Sequence, residues 1–520
     1  MGRSSKSTGS RAYATIKSGS KASAYTIHDG RGIRHGGDDE DLLGGPDTFV
    51  ELSDLAPGDC SALQVAIIQA AGCVGPTALV LPYVFLLGGF LLTLVLLPIF
   101  AFVACALRLR LVQLGISHGV YSLHGLAAMA FGAKGAIASG FLQLTVSGGL
   151  IATYFAILFQ DLPVLLSQAL GLNLEDMGSP DAAAKDPSMV WLHRDRVRFA
   201  ELLTIGVVIP FCLAWSSHPK LKRSCIVVAL SLFVACIFVL ANTPALHKRD
   251  VPLFSRGVTS DYFAMHVAVC HSMAILATAF ASPHHVFHSF YALRKRSIGG
   301  FAGLSIGSTL ISIFWALGFG VGGYLSFLSD TRADVLQNYI STGGDLPSKN
   351  SWAFWIMIPF CSIVCIALEV VVSRHTFLFF SRNNYSLHSE EDDVLFWSQT
   401  GSRSYAGRRK SGARKGVTIT QTSFGWKSSL ATTLLVFTLA QIAIFTRYTI
   451  AKVMCATGAI GGLSLLFILP AACHLRLTVG DDDDDRGGWL LMKLFPTLSI
   501  AAGLVGIISS AIVAAVQVFP

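Results

Sequence analysis

The chain has 520 residues, of which 52% are hydrophobic and only 13% charged, and its mean hydropathy is +0.59. So little charge cannot cover the surface of a soluble protein this long, so the composition excludes a soluble enzyme and points to an all-α, polytopic membrane protein. The net charge of +8 falls mostly in segments that would lie beside an anionic leaflet, which sets nucleic-acid binding aside in favour of membrane lipid.

Residues 1–58 carry few large apolar side chains and are expected to form a disordered cytosolic tail. Within it, DDEDLL (38–43) places Asp38 four positions before Leu42 and Leu43. That spacing resembles the acidic dileucine signal read by sorting adaptors; the plainer reading is a solvated acidic linker. Residues 59–520 form the expected membrane domain.

Apolar runs long enough to cross a hydrocarbon core of roughly 30 Å recur about eleven times. They lie near 61–87, 89–111, 136–160, 199–216, 224–243, 262–292, 300–327, 352–380, 428–447, 450–475 and 488–516. Lys and Arg concentrate in alternate connections, among them HPKLKR (218–223), RKRS (294–297) and SRSYAGRRKSGARKG (402–416). By the positive-inside rule the N-terminus is cytosolic and, after eleven spans, the C-terminus is outside or lumenal. The loop 381–427 and the Asp run 481–485 then read as solvated cytosolic segments. None of the eleven Cys falls in an outward loop, so no disulfide framework is expected. No metal-ligand or nucleophile–base spacing stands out, and no cofactor is expected.

The first span contains AAGCVGPTALVLP (70–82). Pro76 removes a backbone donor and crowds the carbonyl of Gly72, while Gly72 and Gly75 tolerate unusual backbone angles. The helix is therefore expected to unwind over 72–76 and to restart near Thr77. Its freed N–H groups and positive dipole end would suit a carboxylate, and the freed carbonyls a cation. A plain Gly/Pro kink is the competing explanation.

The sixth span is interrupted as well, at Ser282, Pro283, His284 and His285. Imidazoles at membrane depth are functional candidates, and interruptions at corresponding places in two halves point to a transporter site. In the eighth span Glu369 is a carboxylate near mid-membrane, where a charge costs ~2.5–3.5 kcal/mol. Glu369 and His284 are thus the candidate carriers of a coupling proton; a pair between Glu369 and Arg374, or a purely structural histidine, are the alternatives.

Four stretches together resemble the amino acid/auxin permease family. They are GPTALVLPYVFLLGG (75–89), AFASPHHVFHSFYALRKRS (279–297), VGGYLSFLSDTRADVLQNY (321–339) and CATGAIGGLSLLFILPAACHLRL (455–477), in the family's order. The resemblance runs from about 59 to 516. It implies a LeuT-like fold: a five-plus-five inverted repeat with broken first and sixth helices, plus an eleventh helix. It also implies that an amino acid binds between the two breaks. Carried over by position, Gly75, Pro76 and Thr77 would meet the carboxylate, with Gly72, Cys73 and Val74 just before them in the same substrate site. Phe280, Ala281, Ser282, Pro283 and His284 would form the facing wall, and Tyr154 would line the cavity.

Two departures bear on coupling. The positions matching the family's sodium ligands are Ala71 and Cys365, and neither a methyl nor a thiol suits sodium. The function expected is alternating-access transport of amino acids or related small zwitterions by a monomer, coupled to protons rather than sodium. The alternatives are an amino-acid-sensing receptor on the same fold, or a sodium-coupled or uniport carrier. The dileucine-like tail favours a vacuolar or lysosome-like membrane, with the plasma membrane second.

Overall fold

The computed structural model describes residues 60–169, 196–214, 218–246, 262–281, 285–341, 357–381, 426–446, 450–478 and 494–518. These are nearly all helical. The sorting residues Asp38, Leu42 and Leu43, residues 382–425 of the loop 381–427, and the Asp run 481–485 lie outside them.

The first span begins at a capping box. Ser61 accepts from the Gln64 N–H at 3.3 Å, and the Gln64 side chain accepts from the Ser61 N–H at 3.0 Å. α1 (Ala62–Cys73) leads into a 3₁₀ segment, Gly75–Val80, and then α2 (Leu81–Gly88). α3 (Phe90–His118) and α4 (Leu123–Ala169) follow. Gly132, at φ +67°, turns a corner within α4 that a side chain would resist.

α5 (Arg196–Leu203), a π-helical turn (Thr204–Val208) and α6 (Ile209–Ala214) form one apolar unit, followed by α7 (His218–Leu246). The sixth span is divided into α8 (Tyr262–Phe280) and α9 (Val286–Ala292). α10 (Ile298–Phe327) ends in a short turn, Leu328–Asp330, before α11 (Val335–Ser341). Then come α12 (Met357–Ser381), α13 (Trp426–Thr446), α14 (Ile450–Thr457), two π-helical turns (Gly458–Gly462 and Ser464–Ile468), α15 (Leu469–Thr478) and α16 (Phe495–Val518).

Seven described helices are long and apolar enough to cross a membrane, and eight if α1 and Gly75–Gly88, bent by 50°, count as one span. Shorter apolar helices, Ala268–Phe280, Ser429–Phe445 and Pro496–Ser509, stand at the expected sixth, ninth and eleventh places. Large apolar side chains such as Leu230, Phe141 and Val505 are mostly exposed. An outward face of this kind is stable in lipid, and it identifies a multi-pass membrane protein.

Polar and small residues are turned inward instead, onto a centre built by α1, the Gly75–Val80 turn, α4, α10 and α12. The ends of the two broken spans are tied by backbone hydrogen bonds. The Cys60 N–H donates to the Ala292 carbonyl at 3.1 Å, and the Arg294 N–H to the Cys60 carbonyl at 3.0 Å.

Candidate functional site

In hydrocarbon an unmet backbone group costs several kcal/mol, so a break in a span survives only where something else satisfies it. The first span shows how. α1 stays helical through Gly72 and Cys73, and the Val74 N–H still donates to the Ala70 carbonyl at 3.0 Å. The chain turns at Gly75, whose φ is +38°, and resumes with Pro76 in the first turn of the 3₁₀ segment. The Thr77 hydroxyl donates to the Val74 carbonyl, meeting the group the break would orphan. The discontinuity is thus confined to Val74–Gly75 rather than spread over 72–76. It is tight because the 3₁₀ turn and the Thr77 side chain restore pairing at once. All residues from Cys73 to Val80 are buried.

Three elements converge on this point. A Cβ at Gly75 would stand 3.4 Å from Tyr154 Oη of α4 and 3.6 Å from Cys365 Sγ of α12. Tyr154 is fully buried, and its hydroxyl has no hydrogen-bond partner among the described residues. A buried hydroxyl of this kind is rare and costly, and it faces the turn at Gly75, whose left-handed φ a side chain would strain. Glu369, Cys365 and Cys73 are its electrostatic neighbours.

Glu369 lies one turn beyond Cys365 and is 1% exposed. Its Oε1 is 2.9 Å from His285 Nε2, and His285 is itself buried. The His285 ring stands over Gly72, 3.8–3.9 Å from where a Cβ would be. One proton lies on the Nε2···Oε1 contact. A second, on Nδ1 or on the carboxyl, would make the pair net neutral, and its loss would leave the pair anionic. The pair is thus buried beside the end of α1, away from lipid.

The structure brings Gly72, Cys73, Val74, Gly75, Pro76, Thr77, Tyr154 and Glu369 into one neighbourhood. Phe280 ends α8, and buried Ala281 follows it without helical structure. Ser282, Pro283 and His284 fall outside the described residues. The imidazole seen with Glu369 is that of His285, one position beyond His284. Arg374, considered as a partner for Glu369, lies near Cys212 of α6.

Two further polar residues escaped the sequence reading. Arg108 is buried in α3 and donates from Nη1 to Cys73 Sγ at 3.3 Å and from Nη2 to Thr309 Oγ1 at 2.8 Å. It pins the last residue of α1 to α10. Gln69, one turn before Cys73, is buried with both amide atoms lacking a hydrogen-bond partner among the described residues. The signal for Arg108 was present, as a guanidinium inside an apolar run. Gln69 carried none beyond being polar.

The tenth span packs against the first half of the sixth. A Cβ at Gly458 would lie 1.8 Å from the Ala274 carbonyl oxygen, and one at Gly462 would lie 3.1 Å from the Ala277 carbonyl carbon. The Thr278 hydroxyl donates across the same seam to the Met454 carbonyl at 2.8 Å. Backbone rests on backbone here, which fixes α8 and so the approach to its break.

Residues 58–516 match the family described as "Transmembrane amino acid transporter protein". Among curated proteins, the chain is 23% identical over 156 residues to the Vacuolar amino acid transporter 2 of Saccharomyces cerevisiae. That match covers 29% of this chain and 30% of the yeast protein, so it spans about a third of that relative's length.

Proposed function

The chain belongs to the transmembrane amino acid transporter family, a family of carriers and not enzymes, and from that premise we propose that it moves amino acids across a membrane in symport with protons. The observation that carries the reading is the buried His285–Glu369 pair, set over Gly72 at the edge of the first-span break. In this scheme the N–H groups at the start of the Gly75–Gly88 half, with its positive dipole end, hold the substrate carboxylate. Pro76 contributes no N–H, and Thr77 spends its hydroxyl on the Val74 carbonyl. The Tyr154 O–H supplies a replacement donor facing the same turn.

Protonation of His285–Glu369 makes the pair neutral and favours one orientation of the breaks; release on the other side resets it. Sodium has no suitable ligand at Ala71 or Cys365. Cys365 Sγ also faces Gly75 itself, so a soft sulfur stands where a hard oxygen would be needed. The eleven apolar segments are read as a LeuT-like five-plus-five repeat with an additional helix, acting as a monomer with the N-terminus cytosolic. The yeast relative's name and the dileucine-like DDEDLL favour a vacuolar membrane and a sorting adaptor for the tail.

Purified full-length protein in liposomes, given a panel of labelled amino acids with and without a pH gradient, tests this directly. Uptake stimulated by the proton gradient and unchanged when sodium is removed is the expected result. Binding without flux would replace the carrier by a sensor, and a strict sodium requirement would overturn the proton assignment.

A further inference from the structure

A second pair of buried acids stands apart from the site just described. Asp161 of α4 and Asp334, the residue preceding α11, are 1% and 2% exposed. Their carboxyls face each other at hydrogen-bonding range. The Leu336 N–H donates to Asp334 Oδ1 at 3.0 Å. No N–H or O–H donor reaches Asp334 Oδ2 or either Asp161 oxygen in hydrogen-bonding geometry among the described residues. The Gln337 amide stands beside Asp161 without reaching that geometry.

Buried oxygens in this number are not left unpaired in stable structures, and two carboxylates in contact repel strongly. A single proton resolves both problems, because one carboxyl then donates to the other. The location gives that proton a consequence. α11 packs on α4 and on the Gly75–Val80 turn. Asp161 lies seven residues, hence two turns, along α4 from Tyr154, and so on the same face.

We propose that Asp161 and Asp334 form a second proton-binding site, in which one shared proton fastens α11 to α4 over the far end of the broken first span. With the proton present the contact is one charge-assisted hydrogen bond from a carboxyl to a carboxylate, so the pair carries a single negative charge. Without it two buried charges are held together, and α11 is pushed off α4 and off the Gly75–Val80 turn.

The surroundings leave this pair to set its own proton affinity. On the Leu328–Val335 connection the charged groups Asp330 and Arg332 are exposed. On α11 the other titratable group is Tyr339, buried and 3.4 Å from Ser326 Oγ of α10. The Gly75–Val80 turn has no titratable side chain, and on α4 the nearest is Tyr154. Burial pushes the Asp334 carboxyl up to about 6, against the opposing hydrogen bonds from Asp161 and the Leu336 N–H. Because Asp161 donates to Asp334 at that value, rising through about 6 takes the pair from two protons to the single shared one, and the contact weakens only at more alkaline pH, when that last proton leaves.

The test uses infrared difference spectra between acidic and alkaline buffer, recorded on the full chain in lipid nanodiscs. A Glu369→Gln background silences the acid of the proposed coupling pair, so failure here is distinct from failure of the coupling scheme. The expected result is a protonated-carboxyl band that persists to more alkaline pH in the background protein than in either Asp161→Asn or Asp334→Asn, because a lone carboxylate has no second acid with which to share a proton. Either amide can donate to the remaining carboxylate, so both variants should fold, and if one does not the other poses the same question from the opposite side. A band with the same pH dependence in a folded variant, or no such band in the background protein, overturns the proposal.

Discussion

The first and tenth spans are both irregular, glycine-rich helices, and they put that irregularity to opposite uses. AAGCVGPTALVLP turns at Gly75 and gathers polar side chains around the turn: Tyr154, His285 and Glu369, with Gln69 and Arg108 one turn away. ATGAIGGLSLLFILP runs as two π-helical turns and lets the backbone of α8 rest against it with almost no space left. Glycine in a span therefore signals close approach. Whether a ligand or another helix approaches depends on the side chains that surround the opening.

The widest separation of the two regions is expected from alanine at their key glycines. Gly458→Ala sets a methyl 1.8 Å from the Ala274 oxygen, and overpacking of this kind costs about 3 kcal/mol or more when backbone must move. The thermal midpoint of the purified protein should fall sharply, and an unchanged midpoint would show that the seam is looser than described.

Next in size is Glu369→Gln, which keeps a hydrogen-bonding partner for His285 but carries no titrating proton. One pH unit drives roughly tenfold accumulation, or ~1.4 kcal/mol per proton. The variant should lose that accumulation while retaining amino acid exchange, as measured in preloaded liposomes. Accumulation at the native level would remove Glu369 from the coupling scheme.

Gly75→Ala probes the other glycine. Its Cβ meets Tyr154 and Cys365 at ordinary contact distances, so the expected penalty is the left-handed backbone strain of about 1–2 kcal/mol. The loss should show in substrate affinity more than in the thermal midpoint, reversing the pattern at Gly458. Tyr154→Phe is the mildest change. Removing an unpartnered hydroxyl should leave stability level or slightly raised, yet weaken substrate binding by about 1 kcal/mol, roughly fivefold. Titration calorimetry or a scintillation binding assay reads both directions.

The glycine and proline spacing of 70–82 was sufficient to locate the turn, because no continuous helix accommodates Gly75-Pro76 without a change of backbone. The same logic set the length and place of most apolar segments, and it singled out Glu369 as a carboxylate where lipid tolerates none. Cys365 could be placed beside the break only through the resemblance to the permease pattern, and the geometry then put its sulfur 3.6 Å from the Gly75 Cβ position.

Local sequence decides where a helix must break and which residues cannot face lipid, since those depend on backbone strain and on transfer from water to hydrocarbon. It does not decide partners brought together from distant spans. His285 rather than Arg374 stands against Glu369, Arg108 reaches Cys73 and Thr309, and Asp161 meets Asp334 across 173 positions. Each of those contacts is set by how whole helices rotate and pack, and only the tertiary structure fixes that.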